Sequence, residues 1–188
     1  MPKKPGKGGG TSALIMDDHP DLGGRALQAI LIRSAKKIKP SDPDWLDNAA
    51  GLHFNNHFGP GLIDAAAAVD LARTWTNLGQ QPELSSNKPG LSQAIPNNNS
   101  TGTEILFDLP ASNIIMEHAT VRLTIDHTAR GDLEISLTSP SGTVSRLAEL
   151  RDDINDNYTD FTMSTVRNWG ENSSGVWTLK IADRRSGA

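Results

Sequence analysis

The spacing of the apolar residues changes partway along the chain, and that change constrains the fold more than any single motif. From about residue 93 onward the period is two. Ile105-Phe107-Leu109, Val121-Leu123-Ile125, Leu133-Ile135-Leu137 and Trp177-Leu179-Ile181 put apolar side chains on alternate positions, with Arg122, Thr124, Glu134, Ser136, Thr178 and Lys180 between them. A strand with this pattern offers one face to a core and one to water. Asn97-Asn98-Asn99, Ser139-Pro140-Ser141-Gly142 and Ser173-Ser174-Gly175 punctuate the strands as turns. Short strands in succession, with no helices between them, predict an antiparallel β-sandwich over residues 93–188.

Residues 13–75 have helical spacing instead. Leu27, Ile30, Leu31, Ser34 and Ile38 share one helix face, with Pro20-Asp21 ahead of it and Lys39-Pro40 closing it. A second helix is expected from Asp64, as cap, to Trp75 through four consecutive alanines. The stretch between them, SDPDWLDNAAGLHFNNHFGPG, reads as loop. Residues 76–92 carry no period and two prolines, as a linker or wrapping segment does. Residues 1–12, MPKKPGKGGGTS, read as a disordered tail or linker; they lack the apolar stretch of a signal peptide.

Charge and composition exclude several classes of function. A net charge of −4 argues against a nucleic-acid surface, and no apolar run is long enough to span a membrane. The basic cluster Arg33, Lys36, Lys37 and Lys39 falls late in the first helix, where it would complement the helix dipole. The absence of cysteine removes disulfides, thiol catalysis and zinc–thiolate sites. His53 and His57 stand four apart but lack the glutamate of a zinc-protease helix, and they read as loop histidines.

Asp152, Asp153, Asp156 and Asp160, with Asn155 and Asn157, supply the hard oxygens that calcium takes. The EF-hand pattern fails, with Tyr158 where glycine belongs and Ser164 where glutamate belongs. A calcium site would form if this loop met Asp132, Glu171 or Asp183; otherwise the stretch is a solvated acidic turn. Arg130-Gly131-Asp132 matches a cell-adhesion tripeptide, but its position makes it the corner that leads into the Leu133–Leu137 strand.

Taken in order, IDHTARGDLEISLTSPSGTVSRL at 125–147, the Asp-rich piece after it and FTMSTVRNWGENSSGVWTLKIAD at 161–183 resemble the P domain, or Homo B domain, of kexin/furin-like proprotein convertases. The resemblance covers roughly residues 85–183. MDDHPDLGGRALQAILIRSA and AAGLHFNNHFGPGLIDAAAAVDLARTW resemble the C-terminal end of the subtilisin-like catalytic domain that precedes such P domains. The resemblance implies a mainly β, jelly-roll-like sandwich that stabilises a subtilisin-like catalytic domain. It also implies a parent serine endopeptidase that is secreted or periplasmic, and calcium dependence. Trp45, Trp75 and Phe58 are candidates for the stabilising contacts.

Gly10-Thr11-Ser12-Ala13 resembles the start of the subtilase nucleophile motif Gly-Thr-Ser-x-x-x-Pro, which makes Ser12 the one candidate nucleophile. Met16 stands where that motif has proline, and the Asp and His motifs of the triad do not precede it. A serine without its base has nothing to activate its hydroxyl, so the chain is expected not to cleave peptides. Family P domains continue past the strand matched by Trp177–Asp183 with another loop and strand. A chain without them is expected to expose a sheet edge and self-associate. The competing reading is an independent carbohydrate- or protein-binding sandwich, which needs exposed aromatics that this chain, with one Tyr, four Trp and four Phe, has few of.

Overall fold

The structure, a computed structural model, describes residues 7–186 and falls into two compact units. The first comprises residues up to Asp47 together with Gly51–Pro82; the second comprises Asn48–Ala50 and the chain from Glu83 onward.

In the first unit, helices α1 (Lys7–Asp18) and α2 (Gly24–Ser34) pack on α3 (Ala65–Ala72), and a short antiparallel hairpin joins β1 (Leu46–Asp47) to β2 (His53–Phe54). Its core is Ile15, Leu22, Ala26, Ile30, Ala68 and Ala72. The alanines of α3 bring the helices close, and Asp64 caps α3 as expected, accepting from Ala67 N–H at 3.1 Å. The ammonium of Lys36, then the Ala67 N–H, hold the Asp64 carboxyl below its ordinary pKa.

Three features differ from the sequence-based expectation. Helix α1 begins at Lys7, inside the stretch read as a tail; residues 1–6 lie outside the described residues. Three consecutive glycines disfavour a helix, but the completely buried Ile15 anchors it, a burial that contributes about 1.5–3 kcal/mol. Helix α2 ends at Ser34, short of Ile38, because Lys36 turns away into an antiparallel bridge with Leu62, N–H to C=O in both directions at 2.9 and 2.8 Å. Gly61 makes the bridge possible: its φ is +117°, and a Cβ there would meet Lys36 O at 2.3 Å. Only Arg33 of the basic cluster therefore serves the helix dipole, while Lys36 and Lys37 pair with Asp64 and Asp47.

The second unit holds a four-stranded antiparallel sheet in the order β3 (Thr103–Leu109), β8 (Gly175–Asp183), β5 (Leu133–Thr138), β6 (Val144–Ala148). A second sheet pairs β4 (Ala119–Ile125) with β7 (Tyr158–Thr165). The four strands anticipated from alternation are β3, β4, β5 and β8. Their apolar positions form the core: Leu133, Ile135, Leu137, Trp177, Leu179, Ile181 and Ile125, with Tyr158 and Met163 from β7. Strand β7 hides from pattern reading because its register shifts opposite Leu123/Ile125, so Tyr158 and Phe161, three apart, both face partners on β4. Asp160 takes a left-handed backbone at that irregularity, φ +48°.

Strand β8 is paired on both sides, so the free edges belong to β3, β6, β4 and β7. The two-stranded sheet is itself incompletely covered. Val121 and Leu123 are only half-buried, and Phe161, opposite Leu123, remains 44% exposed. An open groove of about 630 Å³ lies there, floored by Leu147, Ala148, Tyr158, Phe161 and Met163.

Truncating Ile135, fully buried at the centre of β5, to alanine is expected to lower unfolding stability by about 2–5 kcal/mol in a denaturant titration. Leu106→Ala on the wet face of β3 should change it by less than about 0.5 kcal/mol.

Candidate functional site

Two polar constructions organise the second unit. The first is the Arg130–Asp132 corner, a single 3-10 turn that delivers the chain into β5. Gly131 is buried, and a Cβ on it would meet Arg151 O at 2.5 Å and Asp153 O at 2.6 Å. That close approach lets the 151–155 loop lie on the corner, with Gly131 N–H donating to Asp153 O at 3.0 Å and Arg151 N–H to Gly131 O at 3.1 Å. Arg130 Nε donates to Asp153 Oδ2 at 2.7 Å, and Arg151 reaches the same oxygen at 3.1 Å and the Tyr158 hydroxyl at 2.8 Å. The Arg130 guanidinium, with Asn155 and Arg151 behind it, holds the Asp153 carboxyl well below the usual carboxylate range. The tripeptide is thus a folding corner whose charged side chains are turned to partners in the same unit.

The second construction surrounds Glu171, which is 3% exposed. Its carboxylate accepts from the Thr143 hydroxyl, from Ala49 N–H at 3.0 Å and from Asn168 Nδ2 at 3.2 Å. Asn168 Oδ1 in turn accepts from Ser145, which accepts from Thr165. Asn48 donates to the carbonyls of Arg167 and Trp169 at 2.8 and 2.9 Å and folds back to accept Ala50 N–H. Trp169 is buried, with His118 edge-on at 5.5 Å. Asn48–Ala50, far away in sequence, are thereby built into the second unit.

The residues considered for calcium do not assemble. Asp132 and Asp152 face Arg185, Asp153 faces Arg130 and Arg151, and Asp160 pairs with Arg122. Asp156 accepts from Asn157, and Asp183, 1% exposed, lies 3.4 Å from His127 Nε2 and accepts from Arg185 N–H. Glu171 belongs to the buried network. Among the described residues no three His, Asp or Glu converge to hold a metal.

Ser12 lies five residues inside α1, not at its start, so no helix N-terminus is presented to a carbonyl beside it. His53 packs edge-on against Trp45, which stacks on Phe58, while His57 packs against Phe58. Trp75 packs against the helical core. Sequence reasoning missed Asn48, Thr143, Ser145 and Asn168. The sequence offers Glu171 only as a possible calcium ligand, and nothing local pairs it with residue 49.

Residues 116–188 match the family model described as the proprotein convertase P-domain. The chain is similar to PC3-like endoprotease variant B of Hydra vulgaris, 35% identical over 93% of this chain and 25% of that protein. It is also similar to a dibasic-processing endoprotease of Schizosaccharomyces pombe, 36% identical over 93% of this chain and 26% of that protein. The chain thus spans about a quarter of the length of these relatives. Among solved structures, a serine protease of Aeromonas sobria superposes with a TM-score of 0.79 at 26% identity, covering 95% of this chain and 36% of that one. The mainly β, antiparallel architecture of the second unit is the one expected from the sequence.

Because its folded pKa is depressed, Asp153 contributes stability that is present above the ordinary carboxylate pKa of about 4 and lost as pH falls toward its folded value. Asp153→Asn should lower the melting temperature at neutral pH, and the gap to the wild type should narrow steadily between about pH 4 and pH 2.

Proposed function

We propose that residues 1–188 form the part of a kexin-like serine endopeptidase in which a P domain stabilises the catalytic domain, and that this part is not itself catalytic. The reading is carried by the buried Glu171. Its carboxylate is completed by the backbone of Ala49, within a segment whose sequence resembles the catalytic-domain end. Without the Ala49 N–H this buried carboxylate would lose one of its three donors, so Ala49 helps to hold the Glu171 loop in place. Anything that binds the folded state alone stabilises it by mass action. The relatives are named as proprotein convertases and endoproteases, which favours a secreted or periplasmic parent. No helix among the described residues is long and apolar enough to cross a membrane.

In the parent enzyme, Glu171→Gln should lower the melting temperature by several degrees, and activity should be lost in step with unfolding. Freshly prepared folded enzyme should keep its kcat/KM. Unchanged stability would sink the stabilising role. For a binding-module function, the buried Trp169, Trp177 and Tyr158 offer no face for stacking.

The half-covered core beside β7 supports a second property. A strand from another copy can pair with the free β7 edge and cover Phe161 and the groove. Sedimentation of the 188-residue chain should show concentration-dependent dimers that Phe161→Ser weakens; a monomer at every concentration would count against the pairing.

A further inference from the structure

Three pairs of adjacent basic residues occur in the sequence: Lys3-Lys4, Lys36-Lys37 and Arg184-Arg185. The first lies outside the described residues. At the other two, all four cationic heads rest on carboxylates. Lys36 meets Asp64, and Lys37 meets Asp47 at 2.8 Å. Arg184 meets both oxygens of Glu134 at 3.0 Å, and Arg185 meets Asp132 at 3.4 Å and Asp152 at 3.3 Å. The main chain is engaged as well. Lys36 is held in its bridge to Leu62. Arg184 N–H donates to Asp132 O at 2.9 Å, and Arg185 N–H donates to Asp183 Oδ1 at 3.1 Å.

We propose that Arg184-Arg185 is a latent processing site for a protease that reads paired basic residues, held closed by Glu134, Asp132 and Asp152. The reaction is hydrolysis of the Arg185–Ser186 peptide bond. Water adds its oxygen to the Arg185 carbonyl carbon, the C–N bond breaks, and Ser186 departs with a proton on its new amine. A protease of this preference must draw two cationic side chains into anionic pockets and align the backbone before them. Here both guanidinium groups and both N–H groups are already committed. Cleavage then waits for a local opening, and its rate follows the open population.

This pair is the one able to open. It follows directly on the end of β8, all of its ion pairs are at least partly exposed, and Ser186 is exposed. Exposed ion pairs hold weakly. Lys36, by contrast, is fixed by backbone bonds on both N–H and C=O. The inference rests on the reading of the parent as a kexin-like protease. An enzyme with the preference that the S. pombe relative's name states would need its own paired basic residues shut.

The test uses the folded 188-residue chain and an added, purified protease that cleaves after paired basic residues, with intact mass read against time. Glu134 pairs with Arg184 at the surface and Asp152 is 97% exposed, so the double variant Glu134→Gln/Asp152→Asn leaves the core untouched. It should be cut after Arg185 about three to ten times faster than the wild type, with cleavage after Lys37 unchanged. Raising salt from about 50 to about 500 mM screens exposed pairs. It should accelerate wild-type cleavage relative to the unstructured peptide IADRRSGA. Equal rates for the two proteins at this bond, or no salt effect beyond that of the peptide, would overturn the latch. The salt series needs no substitution and decides the matter even if the variant unfolds. Because the protease is added, a failure here refutes the latch alone; a dibasic-peptide assay on the parent enzyme tests the underlying reading separately.

Discussion

A carboxylate removed from water has to find hydrogen-bond donors inside the protein, and in this chain that requirement falls on Glu171. Moving such a group inward without partners costs several kcal/mol, a sizeable part of the net stability of a small domain. Three donors from three places meet it: Thr143 from the hairpin after β5, Asn168 from its own loop and Ala49 from the far N-terminal part of the sequence. Meeting it orders much else. Asn168 orients Ser145 and Thr165, Asn48 spans two carbonyls of the same loop, and Trp169 closes the site against His118. The sandwich core supplies most of the hydrophobic stabilisation, but this network decides which distant segment of chain completes the second unit.

The ion pairs of the unit do something different. Those at the surface contribute little energy each. Their effect is to hold loops in place: arginines 122, 130, 151 and 185 sit on the carboxylates of Asp160, Asp153, Asp132 and Asp152. The 151–155 loop lies on the corner through backbone bonds at Gly131, where any side chain would collide with Arg151 O and Asp153 O. The same economy of paired charges closes Arg184-Arg185, so one electrostatic habit serves both loop docking and protection of the backbone.

Much of this was legible in the residues because it is local. Alternation marked β3, β4, β5 and β8, the Asp64 cap fell where the alanines begin, and the Ser139–Gly142 turn closes a hairpin whose Gly142 has φ +88°. Local rules failed where tertiary contact overrode them. The glycines of α1 argue against a helix until Ile15 is buried, and Ile38 continues a helical face until the Leu62 bridge takes the backbone away. Strand β7 loses its period at an irregularity in register that only its pairing with β4 shows.

The sequence by itself determined the sandwich, its inward-facing residues, the corner before β5 and the family resemblance, since each rests on spacings of a few residues that sterics and burial read directly. Which carboxylate meets which donor was decided by the tertiary structure. Glu171 and Ala49 lie 122 residues apart, and Asp183 and His127 lie 56 apart. An acidic side chain looks the same in a sequence whether it will bind an ion, an arginine or a backbone N–H. Only the approach of distant chain segments distinguishes those fates, because electrostatic partners are set by position in space and not by order along the chain.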